Sequence, residues 1–272
     1  MNLELAGKAA VVTGSSTGIG LAIARSLAAE GAAVLLSARG AERLEAARAS
    51  IATQSGARVE ALVADVATAE GCVAVVDEAV RRFGRLDILV NNAGAAPGPA
   101  GFLNLEDRHW QQAFDLNLLS AVRCSRAAIP HMQGQGGGRI VMISSTSAHQ
   151  PDVVVCHYNA AKAALINLSK TLANSFAADK ILVNCVCPGL TRTPAVERSA
   201  RRRLREAGEN VDDLSDDQAV SAYFGPRRPM PLGRIGTPEE IAALVVFLCS
   251  ARASWITGTC INADGGWTKS IF

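Results

Sequence analysis

Thr13-Gly14-Ser15-Ser16-Thr17-Gly18-Ile19-Gly20 is the stretch on which the fold turns. Before it, residues 9–12 form a short apolar run with the character of a buried strand. After it, residues 21–29 have helical character and stop at Gly31, a residue suited to the left-handed position that ends a helix. In such a turn Gly14 allows a sharp reversal and Gly18 allows close approach of the backbone to a bound group. Gly20 allows the helix to pack closely on the strand. The free N–H groups of the helix start favour an anion. A tight turn without a ligand is the plain alternative. Its place between the first strand and the first helix favours a dinucleotide pyrophosphate.

Outward from this turn the pattern repeats. Strands are expected at residues 33–37, 59–63, 86–90, 139–143, 182–186 and 259–261. Helices are expected at residues 41–54, 69–83, 107–129, 157–177 and 238–248. Such alternation predicts an α/β fold, a single doubly wound domain of Rossmann type over residues 1–272. Its seven-stranded parallel sheet is covered by helices on both faces. Residues 193–237 break the rhythm, with a charged helical segment, an acidic linker at residues 212–217 and then Pro226, Pro229 and Pro231. So long an insertion in a compact domain points to a functional element, here one that covers a substrate.

Composition agrees. Apolar residues make up 49% of the 272 and aromatics only 4%, so the core must be built from Ala, Val, Leu and Ile, as buried parallel strands require. A net charge of +2 argues against a nucleic-acid partner. The basic cluster Arg201, Arg202, Arg203 and Arg205 lies among acids and reads as a solvated helix face. The seven cysteines are odd in number and unclustered, which predicts reduced thiols in a cytosol. Cys185 and Cys187 should share one face of a strand. With no third or fourth ligand near them in sequence, no metal site is expected. No leader and no long apolar run is present, so a soluble cytoplasmic protein without membrane partners is expected.

The end of the second strand distinguishes the two nicotinamide cofactors. An acid there would hold the ribose 2′-OH, whereas a cation would accommodate a 2′-phosphate. This chain has Ser37-Ala38-Arg39, and Arg39 can fork onto a phosphate. NADP(H) is therefore favoured over NAD(H), against the alternative that Arg39 is a surface bystander.

Tyr158 and Lys162 stand four residues apart on a predicted helix and so share a face. A tyrosine hydroxyl titrates near ~10 in water, and a neighbouring ammonium lowers that value toward the working range of an acid–base. Thirteen residues earlier Ser145 ends a predicted strand, where ligands bind in doubly wound sheets. Its hydroxyl could stabilise charge on a substrate oxygen or simply cap a turn.

Together these features resemble the short-chain dehydrogenase/reductase family along nearly the whole chain. The resemblance rests on the Thr13 to Gly20 turn, Asn91-Asn92-Ala93-Gly94, Asn117, Ser145, Tyr158 with Lys162, and Pro188-Gly189. The ending Ile256-Thr257-Gly258 through Asp264-Gly265-Gly266 adds to it. It implies an enzyme that interconverts a ketone and a secondary alcohol by hydride transfer. Tyr158 would be the acid–base, Lys162 its pKa tuner and ribose ligand, Ser145 the oxyanion donor and Asn117 part of a proton relay. Gly14, Ser16, Thr17, Gly18, Ile19, Gly20 and Arg39 would bind the phosphates, and Asp65 and Val66 would flank the adenine. Asn91, Ala93 and Gly94 would line the cofactor. Pro188, Gly189, Leu190, Thr191 and Thr193 would hold the nicotinamide carboxamide. Thr17 departs from the pattern, because some NADP-specific members carry a basic residue there. The family also implies a homodimer or homotetramer.

Two rival readings remain: an NAD-dependent alcohol dehydrogenase, and a dinucleotide-binding regulatory protein without chemistry. Ala95, Ala96, Pro97, His149, Val153 and His157 would flank the substrate, with Tyr223 and Phe224 covering it. His157 reads as structural. The tail, Trp267 to Phe272, could dock on a neighbouring subunit or fold over its own site.

Overall fold

Alternate residues of the first strand enter different hydrophobic clusters, Ala10 and Val12 on one face and Val11 on the other. This period of two is what a sheet buried on both sides requires. The computed structural model, which describes residues 2–227 and 229–270, extends it across seven parallel strands. They are β1 (Ala9–Thr13), β2 (Ala33–Ala38), β3 (Val59–Val63), β4 (Ile88–Asn91), β5 (Gly138–Ile143), β6 (Ile181–Pro188) and β7 (Cys260–Ala263). Their order in the sheet is β3-β2-β1-β4-β5-β6-β7. Helices α1 (Gly18–Ala29), α2 (Ala41–Ser55) and α9 (Pro238–Cys249) supply the cluster on one face. Helices α3 (Ala69–Phe83), α5 (Ser120–Gly134) and α6 (Cys156–Phe176) supply the other. The expected α/β fold of Rossmann type, seven parallel strands between helices, is what the chain adopts.

The path steps outward from β1 through β2 to β3, then returns to β4 on the other side of β1. That reversal opens a crevice beyond the carboxyl ends of β1 and β4, where doubly wound sheets bind ligands. The amino ends are closed by charge. Asp87 is buried there, accepting the Ala9 N–H at 2.9 Å and two bonds from the Arg85 guanidinium at 2.6 Å. Burial pushes the Asp87 carboxyl up, but Arg85, the Ala9 N–H and Lys8 outweigh it and hold it below its ordinary value.

Three expectations need correction. The helix expected at residues 107–129 is α4 (Asp107–Phe114), then a π-turn (Asp115–Leu119), then α5, which runs on to Gly134. The buried residue of the π-turn is the polar Asn117, and the nearly contiguous Leu116, Leu118 and Leu119 around it set no clear period, so the sequence gives no sign of the extra residue it accommodates. The insertion holds two helices, α7 (Pro194–Glu206) and α8 (Asp216–Phe224), where one was expected. Ser215 accepts the Gln218 N–H and donates its own N–H to the Gln218 side chain, so the acidic stretch is a helix start. Leu204, Val211 and Ala219 form a small cluster beneath it. Arg201 is not a plain solvated cation. Its guanidinium donates to the Val211 and Leu214 carbonyls at 2.8 and 2.6 Å and to Asp216 at 2.7 Å, clasping the linker.

Among the described residues, no helix is long and apolar enough to cross a membrane. Trp267 reaches the cleft described below, whereas Ile271 and Phe272 of the tail lie outside the described residues.

Candidate active site

A cleft of about 1380 Å³ runs along the carboxyl ends of the strands, from Arg39 past the first turn to Tyr158 and the insertion. Its floor begins at Gly14, whose φ of +65° and close approach to the Ala93 backbone exclude a side chain. Thr13 fastens the two sides of the crevice. Its hydroxyl oxygen accepts the N–H groups of Asn92 and Ala93, both at 3.0 Å. The Asn92 amide donates back to the Thr13 and Gly14 carbonyls at 2.8 and 3.2 Å.

Ser16, Thr17, Gly18, Ile19 and Gly20 line the cleft where α1 begins. Thr17 makes no side-chain cap and the first turn holds no acid, so the N–H groups and partial positive charge of this end face the cleft uncompensated. That end suits a pyrophosphate. Beyond it the exposed Arg39 and the half-buried Asp65 approach at 3.9 Å, with Val66 beside them. Arg43, in the first turn of α2, lines the same end. The sequence reading passed over Arg43 because it sought a cation only at the end of the strand. The readable signal was its place four residues after Arg39.

Ala93 and Gly94 line the cleft, but Asn91 does not lie on its wall. The Asn91 side chain turns inward, donating to the Ser125 hydroxyl at 3.2 Å and lying 3.3 Å from the Met142 sulfur. The residue on the wall is Asn92. Pro188, Gly189, Leu190, Thr191 and Thr193 form the opposite wall, where Thr193 also caps α7 by accepting the Val196 N–H at 3.3 Å.

Ser145, Tyr158 and Lys162 come to one stretch of this cleft. Ser145 follows β5, and its hydroxyl shares a 2.7 Å hydrogen bond with that of Ser147. Ser144 donates to the Lys162 carbonyl at 2.8 Å, pinning the strand end to α6. Tyr158 and Lys162 are one turn apart on α6, and the ammonium stands 5.7 Å from the centre of the Tyr158 ring. Lys162 donates to the Ile143 carbonyl at 2.7 Å and is buried. Burial pushes its ammonium down to about 8, against the pull of the Cys185 and Cys187 thiols.

Asn117 sits in the π-turn, buried behind the cleft. Its amide donates to the Ala95 and Ala113 carbonyls, both at 2.8 Å, and its oxygen accepts the Ala95 N–H at 3.1 Å. A methyl group on Gly94 would lie 2.8 Å from the Asn117 oxygen and 3.0 Å from the Lys162 ammonium. Only a bare α-carbon fits between these two groups.

The substrate end is mixed. Ala95, Ala96, Val153, Tyr223, Phe224 and Trp267 line it together with Gln150, Arg202 and Arg227. His157 is buried and bonded at 2.5 Å to the Pro97 carbonyl, a structural position. His149 turns away from the cleft toward Cys187 and Cys260.

Known proteins resemble this chain along nearly its whole length. A family model described as enoyl-(acyl carrier protein) reductase matches residues 14–268. The oxidoreductase YvaG of Bacillus subtilis is 37% identical over 274 residues, covering 100% of both chains. A bovine (Bos taurus) dehydrogenase/reductase, member 4 of the short-chain family, is 37% identical over 95% of this chain and 86% of its own. The crystal structure of L-sorbose reductase from Gluconobacter frateurii, in complex with NADPH and L-sorbose, is 40% identical. It superposes with a TM-score of 0.92 over 100% of both chains.

Proposed function

This chain belongs to the short-chain dehydrogenase/reductase family of oxidoreductases, and from that premise we propose that it interconverts a ketone and a secondary alcohol with NADP(H). One observation carries the chemistry: Lys162 and Tyr158 sit one turn apart on α6, beside Ser145, at the carboxyl end of the sheet.

The dinucleotide supplies or takes up the hydride. In reduction the Tyr158 hydroxyl gives its proton to the carbonyl oxygen. The Ser145 hydroxyl, exchanging its bond with Ser147, donates to the same oxygen as negative charge develops there. The Lys162 ammonium favours the phenolate left behind and holds the nicotinamide ribose. Asn117, cast by the family resemblance in a proton relay, also fixes the Ala95 backbone beside Lys162.

The residues present fit the dinucleotide. The uncompensated start of α1 suits its pyrophosphate, and Ala93, Gly94, Asp65 and Val66 line the path toward its two rings. Pro188, Leu190, Thr191 and Thr193 face the carboxamide end. Two arginines, Arg39 and Arg43, stand where a 2′-phosphate would lie, which favours NADP(H). The 3.9 Å approach of Asp65 to Arg39 favours the rival, an NAD-dependent alcohol dehydrogenase. Arg43 tips the balance, since no acid among the described residues is paired with it. The presence of Asn117, Ser145, Tyr158 and Lys162 together argues against a regulatory protein without chemistry.

The mixed walls suit a mid-sized ketone that is partly polar. The L-sorbose bound by the Gluconobacter relative makes sugar ketoses the first class to screen. We place the protein in the cytoplasm as a homodimer or homotetramer built on the helices around Asp107 and His157. The cofactor assignment is tested by thermal unfolding at rising NADPH and NADH. A ligand held only by the folded state raises the midpoint with concentration. A larger rise with NADPH is expected, and an equal or larger rise with NADH overturns the assignment.

A further inference from the structure

Three side chains that the oxidoreductase chemistry does not use meet just behind the cleft. His149 Nε2 lies 3.7 Å from Cys187 Sγ and 3.5 Å from Cys260 Sγ, and the two sulfurs are 3.3 Å apart. They come from three places: the loop after β5, the end of β6 and the start of β7. All three donor atoms lie within 4.8 Å of one another.

We propose that His149, Cys187 and Cys260 form a binding site for a thiophilic divalent cation of the zinc class. Bond lengths of ~2.3 Å to sulfur and ~2.05 Å to nitrogen in a tetrahedron imply edges of about 3.8 Å between sulfurs and about 3.6 Å from sulfur to nitrogen. Both nitrogen–sulfur separations already lie within about 0.1 Å of that value. The sulfurs need to part by about half an ångström. Two thiolates and an imidazole leave one position for water or a further ligand, and soft sulfur donors select zinc-like ions over calcium or magnesium. Cys187 is fully buried, whereas His149 and Cys260 are partly exposed, so an ion has a way in.

A disulfide between Cys187 and Cys260 is the obvious competing use of these two thiols, and sheet register opposes it. Cys260 stands opposite Cys185, two residues before Cys187. Standard strand spacings then put the Cys187 and Cys260 α-carbons about 8 Å apart, beyond the ~7 Å that a disulfide spans without backbone movement.

Position gives the site a consequence. His149 follows Ser145 by one turn of the same loop, and Cys187 directly precedes the Pro188 wall. A bound cation ties these two sides of the cleft to each other and to β7. Binding releases the thiol protons and stabilises the folded chain by mass action.

The test uses the untagged, full-length chain, stripped of metal by a chelator and kept reduced by a phosphine. Cobalt(II) is titrated in and followed by its thiolate charge-transfer and tetrahedral d–d absorption, then displaced with zinc(II). One tightly held cobalt per chain is expected, with both bands lost on zinc addition. Cys260→Ser and His149→Gln should each weaken the apparent affinity by at least about tenfold, while Cys156→Ser on the helix α6 start leaves it unchanged. His149→Gln alters a partly exposed loop residue, so it serves even if the strand variant folds poorly. Absence of the charge-transfer band, or its persistence at full affinity in both variants, overturns the site.

Discussion

The Lys162 ammonium lies 5.7 Å from the centre of the Tyr158 ring and donates to the Ile143 carbonyl at 2.7 Å, with no access to solvent worth counting. A single carbonyl and the face of a ring are a poor exchange for water, so the folded chain holds this charge at a cost. The arrangement places a cation beside the hydroxyl that passes the proton, and the same burial makes the cation easy to discharge.

Stability should therefore depend on pH through Lys162. Its value falls from an ordinary 10.5 to about 8 on folding. Below pH 8 the lysine is charged in both states and the whole cost of burial is present. Between pH 8 and 10.5 the unfolded chain binds a proton that the folded chain lacks, so this residue makes stability rise with pH. The gain across that window is about 3 kcal/mol. Denaturant unfolding of the wild-type chain and of Lys162→Met at pH 7 and pH 10 isolates it. The wild type should gain on the variant as pH rises, and a constant difference would contradict the assignment.

Arg43→Ala should weaken NADPH binding roughly tenfold to a hundredfold, the worth of a charge-assisted phosphate contact. Arg39→Ala should do the same or somewhat less, because Asp65 already shares its charge. Neither change should lower NADH affinity. Fluorescence titration with each cofactor reads the result, and an equal loss for both cofactors would mean the arginines hold something other than the 2′-phosphate.

Gly94→Ala should be costly and Gly134→Ala should not. A methyl at residue 94 meets the Asn117 oxygen at 2.8 Å and the Lys162 ammonium at 3.0 Å, whereas one at residue 134 meets nothing within 4 Å. Overpacking should lower stability by about 1–3 kcal/mol and reduce turnover. The Gly134 change, at the last residue of α5, should raise stability by about 0.4–1 kcal/mol by restricting the unfolded chain. Urea midpoints and kcat for the two variants check both signs.

Most of the fold was legible because one rule governs it. Buried parallel strands need unbroken apolar runs such as residues 9–12, and helices of matching length must separate them. Asn117 shows where that legibility stops. Its position was readable, but the π-turn that aims its amide at Ala95 and Ala113 lies in a nearly contiguous run of leucines that shows no period to break. The insertion was read as a single charged helix, although Ser215 and Gln218 form a capping box that marks a second start. Asn91 was expected on the cleft wall, yet alternation along β4 turns it to Ser125 and gives the wall to Asn92. His149, Cys187 and Cys260 are separated by 38 and 73 residues. Only the pairing of β6 with β7 brings the two sulfurs together, and no local pattern records it.

The central claim is that Tyr158 passes a proton to a ketone reduced at the expense of NADPH. The direct measurement is NADPH oxidation, followed by absorbance, across a panel of ketones that begins with sugar ketoses. Wild-type protein and Tyr158→Phe are compared at the same cofactor saturation. Steady turnover by the wild type, a loss of about 10²- to 10⁴-fold in the variant and unchanged NADPH affinity are predicted. Turnover that survives in Tyr158→Phe would contradict the account, and so would NADPH binding with no ketone reduced by the wild type.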